Sequence, residues 1–85
     1  MELTATSFVR LSENVRSRIE SEIRRSGLIC NGESCVQMSD GSRMLSISIN
    51  HFDGRPVDSA VQLKNKITRI LEEESGWLNF RVVLN

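Results

Sequence analysis

The chain has 85 residues, of which 39% are hydrophobic and 26% charged, so it can bury one hydrophobic core but not two, and we predict a single small domain over residues 1–85. These fractions are typical of globular proteins and exclude a disordered or collagen-like chain. Eleven basic residues balance eleven acidic ones, which excludes a strong overall field that would draw the protein to nucleic acid or to an anionic membrane.

The cysteine content and the N-terminal sequence predict a cytoplasmic protein. Cys30 and Cys35 are the only cysteines, far fewer than a secreted disulfide scaffold of this length carries. The apolar stretches are too short to cross a membrane, and residues 1–4 lack the basic start and the apolar segment of a signal peptide. We therefore expect reduced thiols, no membrane contact and a cytoplasmic location.

A strand followed by a helix is predicted for the first part of the chain. Residues 3–11 alternate weakly between apolar and polar side chains, which favours a strand, although Phe8 and Leu11 also fit the stripe of the helix that follows. Ser12 is a typical N-cap residue, and Gly27 is suited to end the helix because glycine adopts positive φ without steric conflict. The apolar stripe of this helix consists of Val15, Ile19 and Ile23.

A β-hairpin is predicted around Asp40-Gly41. A two-residue type I′ turn needs positive φ at both positions, which Asp and Gly tolerate. In that register Val36 lies opposite Leu45, and Met38 lies opposite Arg43. One face of the hairpin is then formed by Val36, Met38, Leu45, Ile47 and Ile49.

A loop, a second helix and a final strand are predicted for the rest of the chain. Residues 51–57 form the loop, Asp58 is suited to cap the helix and Gly76 to end it. The apolar stripe of the second helix consists of Ala60, Leu63, Ile67, Ile70 and Leu71. The final strand has one buried face, formed by Leu78, Phe80, Val82 and Leu84.

The element order β-α-β-β-α-β predicts an α+β fold of the split-βαβ, ferredoxin-like type, with a four-stranded antiparallel sheet and two helices on one face. If residues 3–11 are helix or coil, the order becomes α-β-β-α-β. Either version leaves one sheet face uncovered, and that face faces a partner or water. Its predicted residues are Gln37, Met44, Ser46, Ser48, Asn79, Arg81 and Val83.

The sequence predicts no catalytic residue, metal site or cofactor. Cys30 and Cys35, with His51 as the one histidine, fall short of the four ligands of a structural zinc site. The two thiols point to opposite faces of the strand unless Asn31-Gly32 inserts a bulge. An imidazole, a carboxylate and a guanidinium occur together in residues 51–55, where a connecting loop is the simpler interpretation.

An acidic run near the end of the second helix is one candidate binding site. Negative charge is disfavoured at a helix C-terminus, and such local conflicts can mark functional surfaces. Alternatively, Arg69 offsets Glu73 and Trp77 packs onto Leu71. The residues predicted to bind a partner are Glu72, Glu73, Glu74, Trp77 and Arg81.

The basic face of the first helix is the other candidate site. Nine of the eleven basic residues in the chain are arginines, which bind phosphate and carboxylate groups in a bidentate manner. Alternatively, Arg16–Glu20 and Arg18–Glu22 pair at i,i+4 spacing and neutralise one another on a solvated face. The residues of this alternative nucleic-acid site are Arg16, Arg18, Arg24 and Arg25.

These patterns favour a small non-enzymatic protein-binding or regulatory module. It acts through an exposed sheet face or edge and charged helix ends, alone or as a homodimer, with a protein partner that the sequence does not identify. The alternative is a nucleic-acid-binding module that uses the arginine face of the first helix.

Overall fold

The computed structural model of the protein describes residues 5–85, so residues 3–4 of the predicted first strand, 3–11, lie outside the described residues. The chain forms an α+β fold, and the predicted element order β-α-β-β-α-β is confirmed. A single π-helical turn continues the second helix over Leu71–Ser75. The strands and helices are β1 (Ala5–Phe8), α1 (Glu13–Arg25), β2 (Leu28–Met38), β3 (Arg43–His51), α2 (Val61–Ile70) and β4 (Phe80–Leu84).

Helix α1 forms as its sequence predicts. The hydroxyl of Ser12 accepts a hydrogen bond from the Val15 backbone N–H at 3.4 Å, which satisfies one of the unpaired donors of the first turn. Val15, Ile19 and Ile23 are buried at the predicted spacing. The helix ends before Gly27, whose φ of 78° is the left-handed conformation expected there.

Helix α2 begins later than predicted. It starts at Val61 with Ala60 as its N-cap, no side chain caps it, and the predicted capping role of Asp58 is wrong. The first turn is closed instead by the Lys64 N–H, which donates to the Ala60 carbonyl at 2.8 Å. The π-helical turn ends at Gly76, whose φ is 67°. The buried side chains of this segment are Leu63, Ile67, Ile70 and Leu71.

The sheet is mixed, and the prediction of an antiparallel sheet is wrong. The strand order is β1-β2-β3-β4, in which β1–β2 and β2–β3 are antiparallel and β3–β4 is parallel. The helical connection after β3 returns the chain to the same end of the sheet, so β4 runs in the direction of β3. The ferredoxin-like order is not confirmed, because each helix connects strands that are neighbours in the sheet.

The hairpin between β2 and β3 has a loop one residue longer than predicted. Met38 donates its N–H to the Ser42 carbonyl at 2.7 Å, which leaves residues 39–41 as the loop. Only Gly41 has positive φ, at 88°, so Asp40 avoids the left-handed conformation that a type I′ turn requires. The Asp40 carboxylate instead accepts the Ser42 backbone N–H at 2.9 Å.

The longer loop reverses the predicted faces of β2, because a shift of one residue moves every side chain to the other face. Cys35 lies opposite Leu45, whereas Val36 lies opposite Met44. Val36 and Met38 therefore do not share a face with Leu45, and Cys35 takes the core position.

A bulge at Asn31 interrupts the pairing of β2 with β3. Cys30 lies opposite Ile49, but Gly32 lies opposite Ser48, so Asn31 is an extra residue. The bulge that the sequence left as an alternative is present. Cys30 and Cys35 therefore have the same orientation, as the prediction allowed for a bulge at Asn31-Gly32.

Both helices pack on one face of the sheet. Helix α1 lies against β2, α2 lies against β4, and the two helices contact each other. Within residues 5–85, no helix is long and apolar enough to span a membrane. The core between helices and sheet consists of Leu11, Val15, Ile19, Ile23, Leu28, Cys35, Leu45, Ile47, Ile49, Leu63, Ile67, Ile70, Leu71 and Val82.

This register predicts different effects of a carboxylate at adjacent positions of β2. Cys35→Asp places a charge in the core and should lower the free energy of unfolding by roughly 3 kcal/mol or more. Val36→Asp should cost about 1 kcal/mol, because its side chain lies on the uncovered face. Urea unfolding followed by circular dichroism measures both values, and a larger loss for Val36→Asp would contradict the register.

Candidate protein-binding surface

The sheet face away from the two helices, which we call the open face, is not covered by any other element within residues 5–85. Paired residues of neighbouring strands share a face, so the register identifies its members. One row crosses all four strands and consists of Phe8, Val36, Met44 and Arg81; a second row consists of Ser34, Ser46 and Val83.

Two residues predicted on this face are not part of it. Gln37 lies opposite Arg43, in the row that includes Phe80 on the helix-covered side. Asn79 precedes β4 and contributes its carbonyl to the Arg43 N–H at 3.2 Å. The positions predicted for Met44, Ser46, Ser48, Arg81 and Val83 agree with the register.

The open face has an apolar end near the hairpin and a hydroxyl end near the Asn31 bulge. At the apolar end, 85% of the Phe8 surface is exposed, and Val36, Met38 and Met44 are half-buried. Methionine side chains adapt to irregular partner surfaces because they are unbranched and polarizable. The hydroxyl end carries Ser34, Ser46 and Ser48.

Charge is sparse on the open face. Among the paired strand residues of the described chain, Arg81 is the one charged side chain on this side, and it is exposed. A recess of 270 Å³ at this end of the sheet is lined by two arginines and one carboxylate, Arg43, Arg81 and Asp40, together with Met38, Ser42, Met44, Asn79 and Phe80. Hydrogen bonds from the Ser42 hydroxyl and backbone N–H lower the pKa of the Asp40 carboxyl, so Asp40 is anionic at neutral pH.

The five residues predicted to bind a partner do not form one surface. Glu72, Glu73 and Glu74 are exposed, but Glu74 pairs with Arg18 of α1 at 2.5 Å. Arg81 belongs to the open face, whereas Trp77 contacts residues of the helix-covered side.

Trp77 is held within the molecule. The Arg43 guanidinium lies 4.9 Å from the centroid of its ring, and the Phe80 ring packs edge-on at 5.8 Å. Both are favourable contacts for an indole ring. A partner would have to displace them, so Trp77 is a poor docking residue.

Three of the four arginines in the alternative nucleic-acid site are paired with carboxylates. Arg16 contacts Glu33 of β2 at 2.7 Å, Arg18 contacts Glu74, and Arg25 contacts Glu22 at 3.2 Å. The Arg16 and Arg18 pairs reach other elements, in place of the i,i+4 partners that the sequence suggests. A phosphate at this face would compete with these pairs.

Cys35 and His51 do not converge. His51 and Leu45, which lies opposite Cys35, are six residues apart on β3, a separation of about 20 Å. The loop after His51 is closed by its own contacts, including one between Arg55 and Asp53 at 2.6 Å. Within residues 5–85 no cluster of three metal-binding side chains occurs.

The Cys35 thiol is kept protonated by its surroundings. Burial raises its pKa, the nearby Arg43 guanidinium lowers it and the Glu33 carboxylate raises it further. The net shift is upward, which reduces the fraction of reactive thiolate at neutral pH.

Comparison of the chain with protein-family models, curated proteins and solved structures finds no match. A function must therefore be inferred from the chemistry of the surface itself.

The two cysteines should react with a thiol reagent at very different rates. Cys30 is half-buried, whereas Cys35 is 5% exposed with a raised pKa. At pH 8 we expect Cys35 to react at least about a hundredfold more slowly, through transient opening of the fold. The fast phase should disappear in Cys30→Ser and persist in Cys35→Ser; a fast phase that survives Cys30→Ser would contradict this assignment.

Proposed function

We propose that this chain is a non-enzymatic protein-binding module that docks a protein partner on the open face of its sheet. The observation that carries the proposal is the row Phe8–Val36–Met44–Arg81, which places an exposed aromatic ring, two half-buried apolar side chains and one cation side by side. Such a mixture of an apolar centre and a polar margin is typical of protein interfaces.

The energetics support the apolar end as the main contact. Full burial of a Phe side chain is worth about 1.5–3 kcal/mol, and Phe8 is 85% exposed in the free protein. Val36, Met38 and Met44 offer neighbouring apolar surface that would be buried with it. A few such residues usually supply most of the binding energy of an interface.

The charges of the open face indicate the chemistry of the partner. Arg81 is exposed, and none of the ion pairs among residues 5–85 involves it. An apolar partner segment that carries an Asp or Glu would fill the recess between Met38 and Met44 and pair with Arg81. Asp40 lies at the same recess, so the carboxylate is expected on the Arg81 side.

A protein partner fits this surface better than a nucleic acid does. Binding of nucleic acid depends chiefly on cations that contact phosphates, and the paired strand residues of the open face carry one. The arginines of α1 lie on the helical layer, where Arg16, Arg18 and Arg25 already have carboxylate partners.

Two exposed phenylalanines allow a matched test. The tagged protein and its variants would be used to capture partners from host lysate after nuclease treatment, and the captured proteins quantified by mass spectrometry. Phe8→Ser should reduce capture of a nuclease-resistant partner at least about tenfold, because it removes the most exposed apolar contact. Arg81→Glu should reduce it as well by repelling an acidic partner.

Phe52→Ser is the control, since Phe52 is 72% exposed in the loop after β3 and lies outside the rows of the open face. It should leave capture unchanged. Loss of the partner in Phe52→Ser but not in Phe8→Ser would overturn the proposal. Capture that disappears on nuclease treatment would instead favour the nucleic-acid alternative.

A further inference from the structure

Strand β1 occupies only part of the position beside β2 in the sheet. It pairs with residues 36–38, and the Val9 N–H donates to the Cys35 carbonyl at 2.8 Å before the chain leaves the sheet for α1. Residues 28–34 of β2 pair with β3 on one side but with no described strand on the other. We call residues 28–34 the free edge of β2.

Two residues of the free edge direct their backbone groups outward. The Ile47 carbonyl and the Ile49 N–H bond to Asn85 on the β4 side, each at 2.9 Å. Residues that lie opposite each other in an antiparallel pair direct their backbone groups either both toward each other or both away. Glu33 lies opposite Ile47, and Cys30 lies opposite Ile49. The N–H and C=O groups of Glu33 and Cys30 are therefore directed away from β3, toward the free side of β2.

A groove of 680 Å³ runs between the free edge and the flank of α1. An ion pair fixes how the two walls are aligned, because Arg16 of α1 contacts Glu33 of β2 at 2.7 Å. The groove follows α1 from Arg16 toward Arg24, while β2 runs the opposite way. The wall formed by α1 consists of Arg16, Glu20, Ile23 and Arg24, and the loop after β3 adds the exposed ring of Phe52.

Two opposite charges in this groove have no ionic partner within the molecule. Glu20 and Arg24 line it, and none of the ion pairs among residues 5–85 involves either side chain. They lie four residues apart on α1, a rise of about 6 Å. Alternate side chains of an extended chain are about 6.7 Å apart and stand on the same face. An extended segment in the groove can therefore match Glu20 and Arg24 with its side chains at i and i+2.

From these features we propose that an extended segment of a partner protein binds in this groove as an added strand on the free edge of β2. The segment runs antiparallel to β2, in line with β1, and bonds to the outward backbone groups of Cys30 and Glu33. This direction follows α1 from Glu20 to Arg24. The segment therefore carries a basic residue, an acidic residue two positions later and, after two more positions, an apolar residue that contacts Phe52. This interface goes beyond the proposed function, because it uses the edge of β2 and not the open face.

A short segment fits this edge better than a second copy of the chain does. Helix α1 packs over β2, so two copies joined along β2 would bring their α1 helices to about 5 Å from each other. Packed helices need roughly 8–10 Å between their axes. The bulge at Asn31 also discourages edge-to-edge joining of whole sheets, whereas a short segment can bond on either side of it, at Cys30 and Glu33.

The test uses two peptides of the same composition that differ only in the order of their charges. Acetyl-Thr-Lys-Val-Asp-Val-Leu-Thr-amide has the proposed order, and the control peptide exchanges its Lys and Asp. Each peptide is titrated into isotope-labelled protein, and the shifts of the amide NMR signals give the affinity and the site. We expect a dissociation constant below about 1 mM for the first peptide. The control peptide should bind at least about fivefold more weakly, because two attractions become two repulsions.

Exchanging the two charges of the protein should exchange its preference. The double variant Glu20→Arg/Arg24→Glu should bind the control peptide at least about fivefold more tightly than the first peptide, which a folding defect could not produce. Arg25→Glu is the matched control, since it makes the same change of charge as Arg24→Glu in the same turn of α1, and Arg25 does not line the groove. It should leave the preference between the peptides unchanged.

The amide protons of Cys30 and Glu33 report the added strand itself. Their exchange with solvent should slow at least about tenfold in the saturated complex, because each N–H gains an acceptor. Phe8→Ser should leave peptide binding unchanged, so failure of the open face as a docking surface can be distinguished from failure of this groove. The proposal is ruled out by no binding of either peptide up to about 5 mM, by equal affinity for the two peptides, or by binding that leaves these amide protons unprotected.

Discussion

The pairing of β2 with β3 is the interaction on which the rest of the structure depends. These two strands are the longest, β1 attaches to the end of one and β4 follows the other. Their register places Cys35 beside Leu45, and the parallel pairing of β4 extends that row to Val82. Both helices pack on the resulting surface, so the same register that builds the core also determines which side chains remain on the open face.

The charges of α1 contribute little to the open face, because Arg16 and Arg18 connect that helix to Glu33 of β2 and Glu74 of the π-helical turn.

Local patterns in the sequence predicted the helices well and the sheet only in part. Val15, Ile19 and Ile23 follow the helical period, and the caps at Ser12 and Gly76 depend on neighbouring residues alone, so these features could be found without tertiary information. The direction of β4 could not, because alternation looks the same in parallel and antiparallel strands. The ion pair between Arg18 and Glu74 joins two predicted site residues that are distant in sequence, so a local pattern could not reveal it. The exposure of Phe8 was missed for a related reason, since it depends on where β1 meets β2.

The longer hairpin loop and the Asn31 bulge compensate for one another. The loop length determines which alternate residues of Gly32–Met38 face the core, and Cys35 is one of them. On the other side of the bulge the opposite set of alternate residues faces the core. Leu28 is therefore buried although it is separated from Cys35 by an odd number of residues. An insertion or deletion of one residue at either position alone would exchange the core-facing and outward-facing side chains of one segment of β2. In a homologous chain that lacks the residue at position 31, the core-facing apolar residues of 28–30 should be displaced by one position. An alignment that ignores this displacement would superpose core residues on surface residues.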